Sequence, residues 1–205
     1  MLSSWRIVVP PAADPVSLEE ASQFLRLAED SDAPTVERLI RSASHHVEEI
    51  TRRCFVSRTI EARFDAWPCQ DLRRPDIPPD LILPSASPLA SVERVTYVDT
   101  DGAVQTLATD VYRVEAHREP GRLRLAFNRD WPNVRADREV ITVRYDAGYG
   151  TDADVPDTAK TAILMLVAHW FENREAVDVA TGGTVSEIPF GFESIIGNLT
   201  VREVT

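Results

Sequence analysis

The sequence predicts an α+β fold: a small helical domain of three to four helices, an antiparallel β unit inserted into it, and extended arms at both ends. Three observations predict this. Two stretches, Val36–Ile50 and Val155–Val177, carry apolar residues at helical spacing. Between them lies a long run of short, alternating segments punctuated by Gly, Pro and Asp turns. At 205 residues, 43% of them hydrophobic, the chain can bury the core of one ordinary domain or of a domain with an insertion. The expected divisions are an N-terminal arm at 1–16, a split helical domain at 17–55 and 151–197, the β unit at 56–150, and a C-terminal tail at 198–205.

The arm contains Pro10, Pro11 and Pro15, which oppose helix, while Ile7, Val8 and Val9 could add a short strand to a neighbour. Ser17-Leu18-Glu19-Glu20 is a capping box and opens a helix running to about Leu27, with Leu18, Ala21 and Leu25 inward and Phe24 a further inward candidate. A polar turn, Glu29 to Asp32, precedes Pro34, which opens the second helix. Its stripe is Val36, Leu39, Ile40, Ala43, Val47 and Ile50, opposite Glu37, Arg38, Arg41, Glu48 and Glu49.

The period then changes from helix to strand. Thr59–Asp65 alternates, residues 68–80 form a Pro-rich loop, and Leu81–Pro84 and Val92–Val98 read as strands, the latter with Val92, Val95 or Tyr97 inward. Asp101-Gly102 is a hairpin signal returning through Val104–Leu107. Tyr112–Val114 and Leu123–Phe127 flank the turn Glu119-Pro120-Gly121, and Val140–Tyr145 is the strongest strand.

After the breaker Gly148-Tyr149-Gly150 comes the longest helix, Val155–Val177. Pro156 suits its first position, and Asp154 and Asp157 suit the positive end of its dipole. Ala159, Ala162, Ile163, Leu166, Val167, Trp170 and Phe171 form one apolar face; Leu164, Met165 and Ala168 form a second. A helix apolar on two sides is covered on two sides, by its own domain or by another subunit. Ala180–Thr184 reads as a loop, the stretch after Pro189 as a short closing helix, and Leu199–Thr205 as a tail with strand character.

The charge is acidic, with 33 Asp and Glu against 22 Lys and Arg, a formal −11. That excludes a protein gripping nucleic-acid phosphates over its whole surface, since such affinity comes from basic side chains releasing counterions. It leaves room for a wall past which DNA slides. Cys54 and Cys69 have no CxxC spacing, and a reduced, cytosolic setting without a disulfide is expected. The first residues lack the long apolar core of a signal peptide, and no membrane anchor is expected.

No catalytic, cofactor-binding or metal-binding constellation is present. His45-His46 is not H-E-x-x-H and lacks a completing ligand; solvated or packed histidines are the expectation. His169, beside Trp170, is expected to be packed or intersubunit. Asp99-Thr100-Asp101-Gly102 has its glycine too early for a calcium loop and Asp110 at the twelfth place, so a hairpin turn accounts for it better. Walker A, G-x-S-x-G and G-x-G-x-x-G are absent, and 8 glycines leave little material for phosphate loops.

The order of elements resembles the head–tail connector (adaptor) proteins of tailed bacteriophages and phage-like gene transfer agents. The likeness rests on S-L-E-E-A followed by V-E-R-L-I-R-S-A-S-H-H-V-E-E-I-T-R-R-C-F, on V-P-D-T-A-K-T-A-I-L-M-L-V-A-H-W-F-E-N-R-E-A-V, and on the closing I-P-F-G-F-E-S-I-I. It spans about Val16 to Ile196. The chain departs from the family's pattern at the end, running on from Gly197 where relatives often stop. The resemblance implies a non-enzymatic ring, usually of twelve copies, in the neck of a particle assembled in the bacterial cytoplasm. The ring would dock under the portal protein, receive a tail-side neck or stopper protein, and pass double-stranded DNA without binding it specifically. On that reading Ile188, Phe190, Phe192, Ile195, Ile196, Leu199, Val201 and Arg202 contact the portal, and Leu164, Met165, Trp170, Asn173 and Arg174 line the subunit interface. The alternatives are an assembly chaperone, or a ligand-binding protein or enzyme with its site in the β unit.

Overall fold

The computed structural model describes residues 2–27, 32–68, 79–85, 87–173 and 190–202. The expected loops at Glu29–Ser31 and Ala180–Thr184, together with Ile188 and Arg174, lie outside them. The chain divides into two compact units, one of Met1–Ala12, Ser57–Tyr149 and Val201–Thr205, the other of Ala13–Val56 and Gly150–Thr200.

The helical unit contains α1 (Leu18–Leu25), α2 (Ala33–Thr51), α3 (Asp157–Glu172) and α4 (Phe190–Leu199). The capping box at Ser17 closes as the sequence indicates. Ser17 Oγ accepts from the Glu20 amide at 3.1 Å, and Glu20 Oε2 accepts from the Ser17 amide at 2.8 Å. Glu20 also receives Lys160 Nζ at 3.0 Å, tying the start of α1 to α3. Both α1 and α2 end on an arginine in the left-handed region, Arg26 (φ 54°) and Arg52 (φ 57°), where glycine is the usual choice. Glu48, expected on the solvated face of α2, turns back, and its Oε1 accepts the Phe55 amide at 2.9 Å. That satisfies a donor just beyond the helix end. The α2 stripe buries Val36, Ile40, Ala43 and Val47, and α3 buries Ala159, Ala162, Ile163, Leu166 and Val167. Pro156 caps α3 from just outside it, accepting the amides of Ala159 at 2.8 Å and Lys160 at 3.2 Å.

The other unit contains two antiparallel sheets. The larger takes strands β1 (Leu2–Val9), β2 (Arg58–Phe64), β4 (Leu89–Val98), β5 (Val104–Thr106) and β8 (Ile141–Ala147), in the order β1-β2-β8-β4-β5. The smaller takes β3 (Leu81–Ile82), β6 (Tyr112–Glu115) and β7 (Arg122–Leu125), in the order β3-β7-β6. Alternation on β2 and β8 buries Ile60, Ala62, Phe64, Ile141, Val143, Tyr145 and Ala147, and Leu83, Leu89, Val95 and Leu123 are buried in the same unit. The Tyr145 hydroxyl donates to the Pro84 carbonyl. Of the three inward candidates on β4, Val95 is buried, while Val92 and Tyr97 are half-buried.

Two expectations change. The N-terminal segment is not a free arm: Leu2–Val9 is an edge strand, pairing antiparallel with β2 from Leu2 opposite Phe64 to Val9 opposite Thr59. The prolines at 10 and 11 end that strand without preventing it, because edge positions tolerate them. The expected strand character of Leu199–Thr205 is also absent from its described part. Leu199 closes α4, and Thr200 hydrogen-bonds back to the Ile196 carbonyl through both its amide (2.9 Å) and its hydroxyl (2.7 Å).

Candidate assembly surfaces

The outward face of the larger sheet is a lattice of opposed charges. Cross-strand register places Arg6 opposite Glu61, and Glu61 opposite Arg144. Arg6 and Arg63 both reach Glu61 Oε1, at 2.9 and 3.0 Å, and Arg63 continues to Glu139 Oε2 at 3.1 Å. Burial pushes the Glu61 carboxyl up, but the Arg63 hydrogen bond and the two guanidinium charges outweigh it and hold it below the ordinary range. Asp146 accepts the Thr59 hydroxyl at 2.7 Å and the Ser91 hydroxyl at 2.9 Å. Arg144 Nε lies 2.7 Å from Glu93. On the smaller sheet, Asp80 takes Arg124 through two hydrogen bonds (2.8 and 3.0 Å) and Arg122 at 3.5 Å. Glu61, Glu139, Asp146, Glu93 and Asp80 are thereby held in structural pairs.

Asp99 is a turn residue. Its Oδ1 accepts the amides of Asp101 (3.0 Å) and Ala103 (2.9 Å), and its Oδ2 accepts Gln105 Nε2 at 2.8 Å. Gly102 supplies the positive φ the hairpin requires, at 89°. Among the described residues, no three His, Cys, Asp or Glu side chains gather as a metal site, and no helix is long and apolar enough to cross a membrane. His46 lies against Trp170, with ring centroids 6.1 Å apart. His169 offers its carbonyl to the Asn173 side-chain amide at 2.8 Å.

The residues expected at interfaces fall into three groups. Phe192 and Val201 are buried, at 4% and 5% exposure. Ile195, Ile196 and Leu199 are half-buried and Arg202 is exposed, so these four have surface to offer. The Leu199 carbonyl is held by Arg53 Nε at 2.6 Å, which anchors the end of α4 to the end of α2. On α3, Leu164, Met165 and Trp170 are half-buried and Asn173 is exposed. A β-carbon added at Gly191 would lie 3.6 Å from Met165 Cε, so α4 covers part of the second apolar face of α3. The backbone of Phe190 opens α4.

Sequence reading found strand character at Ile7–Val9 but not the exposed apolar row that begins at Leu2. Leu2, Trp5, Ile7 and Val9 on β1 are 42%, 46%, 43% and 47% exposed. Trp5 stands opposite Ala62, and Ile7 opposite Ile60, so both continue the core-facing side of the sheet beyond its last covered strand. The signal was the alternation in W-R-I-V-V, which the prolines that follow obscured.

Residues 135–199 match the family of phage gp6-like head–tail connector proteins. No curated protein matches the chain. Solved structures share its fold along the full length. A chain from the neck of an empty gene transfer agent particle, computed with C6 symmetry, has a TM-score of 0.77 at 20% identity, covering 99% of this chain and 98% of that one. A chain from the virion of a native gene transfer agent particle has a TM-score of 0.74 at 21% identity, with 99% and 98% covered. A chain from the neck of a native particle, computed with C12 symmetry, has a TM-score of 0.69 at 22% identity, with 100% and 97% covered. Residues 135–199 are thus similar in sequence to phage gp6-like head–tail connectors, and the whole chain shares the fold of these neck and virion chains.

Proposed function

We infer that this chain is a structural connector in the neck of a phage or phage-like particle, where copies of it form a ring between head and tail. One observation carries the reading: the stretch that matches the connector family contains α3 and α4, and the fold around it is that of neck chains over nearly every residue. The chain would work through surfaces rather than chemistry. Twelve copies would dock on a portal protein on one side and on a tail-side neck or stopper protein on the other. The acidic balance supports a channel wall that DNA passes without adhering, because like charge opposes phosphate contact.

Within that reading, Ile195, Ile196, Leu199 and Arg202 are the portal-facing residues with surface to offer, joined by Ile188 and Phe190. Phe192 and Val201 support them from inside. Leu164, Met165, Trp170, Asn173 and Arg174 contribute to a subunit contact. Assembly would take place in the bacterial cytoplasm, where Cys54 and Cys69 stay reduced.

Deletion of the gene tests the reading. DNA-filled heads without tails are expected, with tail attachment restored by the intact chain supplied in trans. Normally tailed particles from the deletion strain would overturn the connector assignment. A chain truncated after Pro189 should fail to restore attachment while remaining folded; restoration by that truncation would remove the portal role of the C-terminal helix.

A further inference from the structure

Among the described residues, the larger sheet ends on β1 at one side and on β5 at the other. Among these residues β1 pairs only with β2, and β5 only with β4. Exposed edges present unpaired N–H and C=O groups, and folded proteins normally blunt them with lysine, internal proline or extreme shortness. β1 has neither lysine nor internal proline and is eight residues long, with Arg6 its one charge; its register shifts between Leu2 and Ser4 and between Ile7 and Val9 leave Ser4–Ile7 as a regular stretch. It also leaves Trp5 and Ile7 uncovered on the core side. β5 is Val-Gln-Thr, uncharged and only three residues long, with Val104 73% exposed.

We propose that the β1 edge of one copy docks on the β5 edge of the next, so that the five-stranded sheets of the ring run into one continuous belt. The proposal rests on the ring reading above. A cyclic ring needs two different surfaces at opposite ends of each subunit. One sheet with two dissimilar end strands supplies that pair. Every neighbouring pair in the sheet is antiparallel, so β1 and β5 point the same way. A copy related by rotation alone therefore adds its β5 parallel to β1. Self-pairing of β1 would bring apolar side chains together equally well. It requires a two-fold axis that turns one copy upside down, and a connector with a head on one side and a tail on the other has every copy the same way up.

Cysteine pairing in assembled particles tests this. Ile7 faces the core side of β1, and Gln105 stands opposite Tyr97, itself opposite Ile141 on that side. Particles carrying I7C and Q105C on one chain, with C69S, should give under mild oxidation a ladder of covalent multimers reaching the full ring. Particles with I7C alone should give none. Retained tail attachment checks that the variants fold and assemble. A chain present in the particles but giving no ladder would overturn the edge pairing and leave the connector reading standing. Dimers from I7C alone would overturn it in favour of self-pairing. Particles lacking the chain would overturn both.

Discussion

The two units treat their apolar surface differently. Among the described residues, nine large hydrophobic side chains are exposed, and eight belong to the β unit; only Phe24 belongs to the helical unit. The helices satisfy one another: α3 buries one face and gives part of the second to α4. The sheets bury their inward faces and still leave apolar residues along an edge and at loop tips. The surplus face of α3 is one place for a neighbour. The exposed residues of β1 are a second, because contiguous uncovered apolar area marks where something else sits.

The largest effect that could break the contrast lies in the helical unit. Ile163 is fully buried. Ile163→Ala should lower stability by about 3 kcal/mol, the lost transfer energy plus the cavity left behind. Half-buried Leu164→Ala should cost about 1 kcal/mol or less. Urea denaturation followed by far-ultraviolet circular dichroism measures both. Equal losses would mean that α3 has two equivalent faces, and the helices would no longer count as self-satisfied.

In the β unit, the tightest contact is backbone against side chain. A β-carbon at Gly121 would lie 2.4 Å from Leu89 Cβ. Gly121→Ala should therefore destabilise by about 2 kcal/mol through forced displacement of β4 from the turn before β7. Shortening the neighbour to alanine leaves its β-carbon in place, so adding Leu89→Ala should not rescue the variant. Rescue in the same denaturation assay would show that the clash is absorbed by the Leu89 side chain.

Asp80 sharpens the comparison electrostatically. Burial raises its carboxyl, but the Arg124 hydrogen bond and the charges of Arg124 and Arg122 overcome this and hold it below its ordinary value of 3.8. A depressed folded value means stability that is fully present above about pH 4 and lost as pH falls through the folded value. Asp80→Asn should cost about 1.5 kcal/mol at pH 7, as expected for hydrogen bonds to a charged partner. It should also flatten the acid limb of the stability profile below pH 4. An unchanged acid limb would assign acid sensitivity to other carboxylates, with Glu61 the first to test.

Much of the helical unit was legible because its signals are local. Ser17 and Glu20 are three residues apart, the α2 stripe repeats within one element, and Pro156 marks the start of α3. The hairpin at Asp99–Ala103 was legible for the same reason. The sheet order was not. β1 and β2 pair across more than fifty residues, and β2 and β8 across some eighty, with no local pattern to declare the partners. The division of the strands into two sheets is equally non-local. Of the surfaces, the C-terminal helix was read from Pro189 and the aromatic run after it. The edge position of β1 could not be read, because exposure depends on which strands lie beside it.

The smallest effect is expected where the contrast is sharpest. Phe127 follows β7, is 91% exposed, and precedes Asn128 at φ 58°. A side chain that buries almost nothing contributes almost nothing to its own fold, so Phe127→Ser should change stability by no more than about 0.5 kcal/mol. Asparagine is among the residues that adopt the left-handed conformation most readily, so the turn does not depend on the phenylalanine. A loss above about 1.5 kcal/mol on denaturation would mean that Phe127 packs against its own chain in solution. Unchanged stability combined with weakened tail attachment would instead mark this loop tip as a contact, and extend to the smaller sheet the observation that exposed apolar side chains of the β unit are there for a partner.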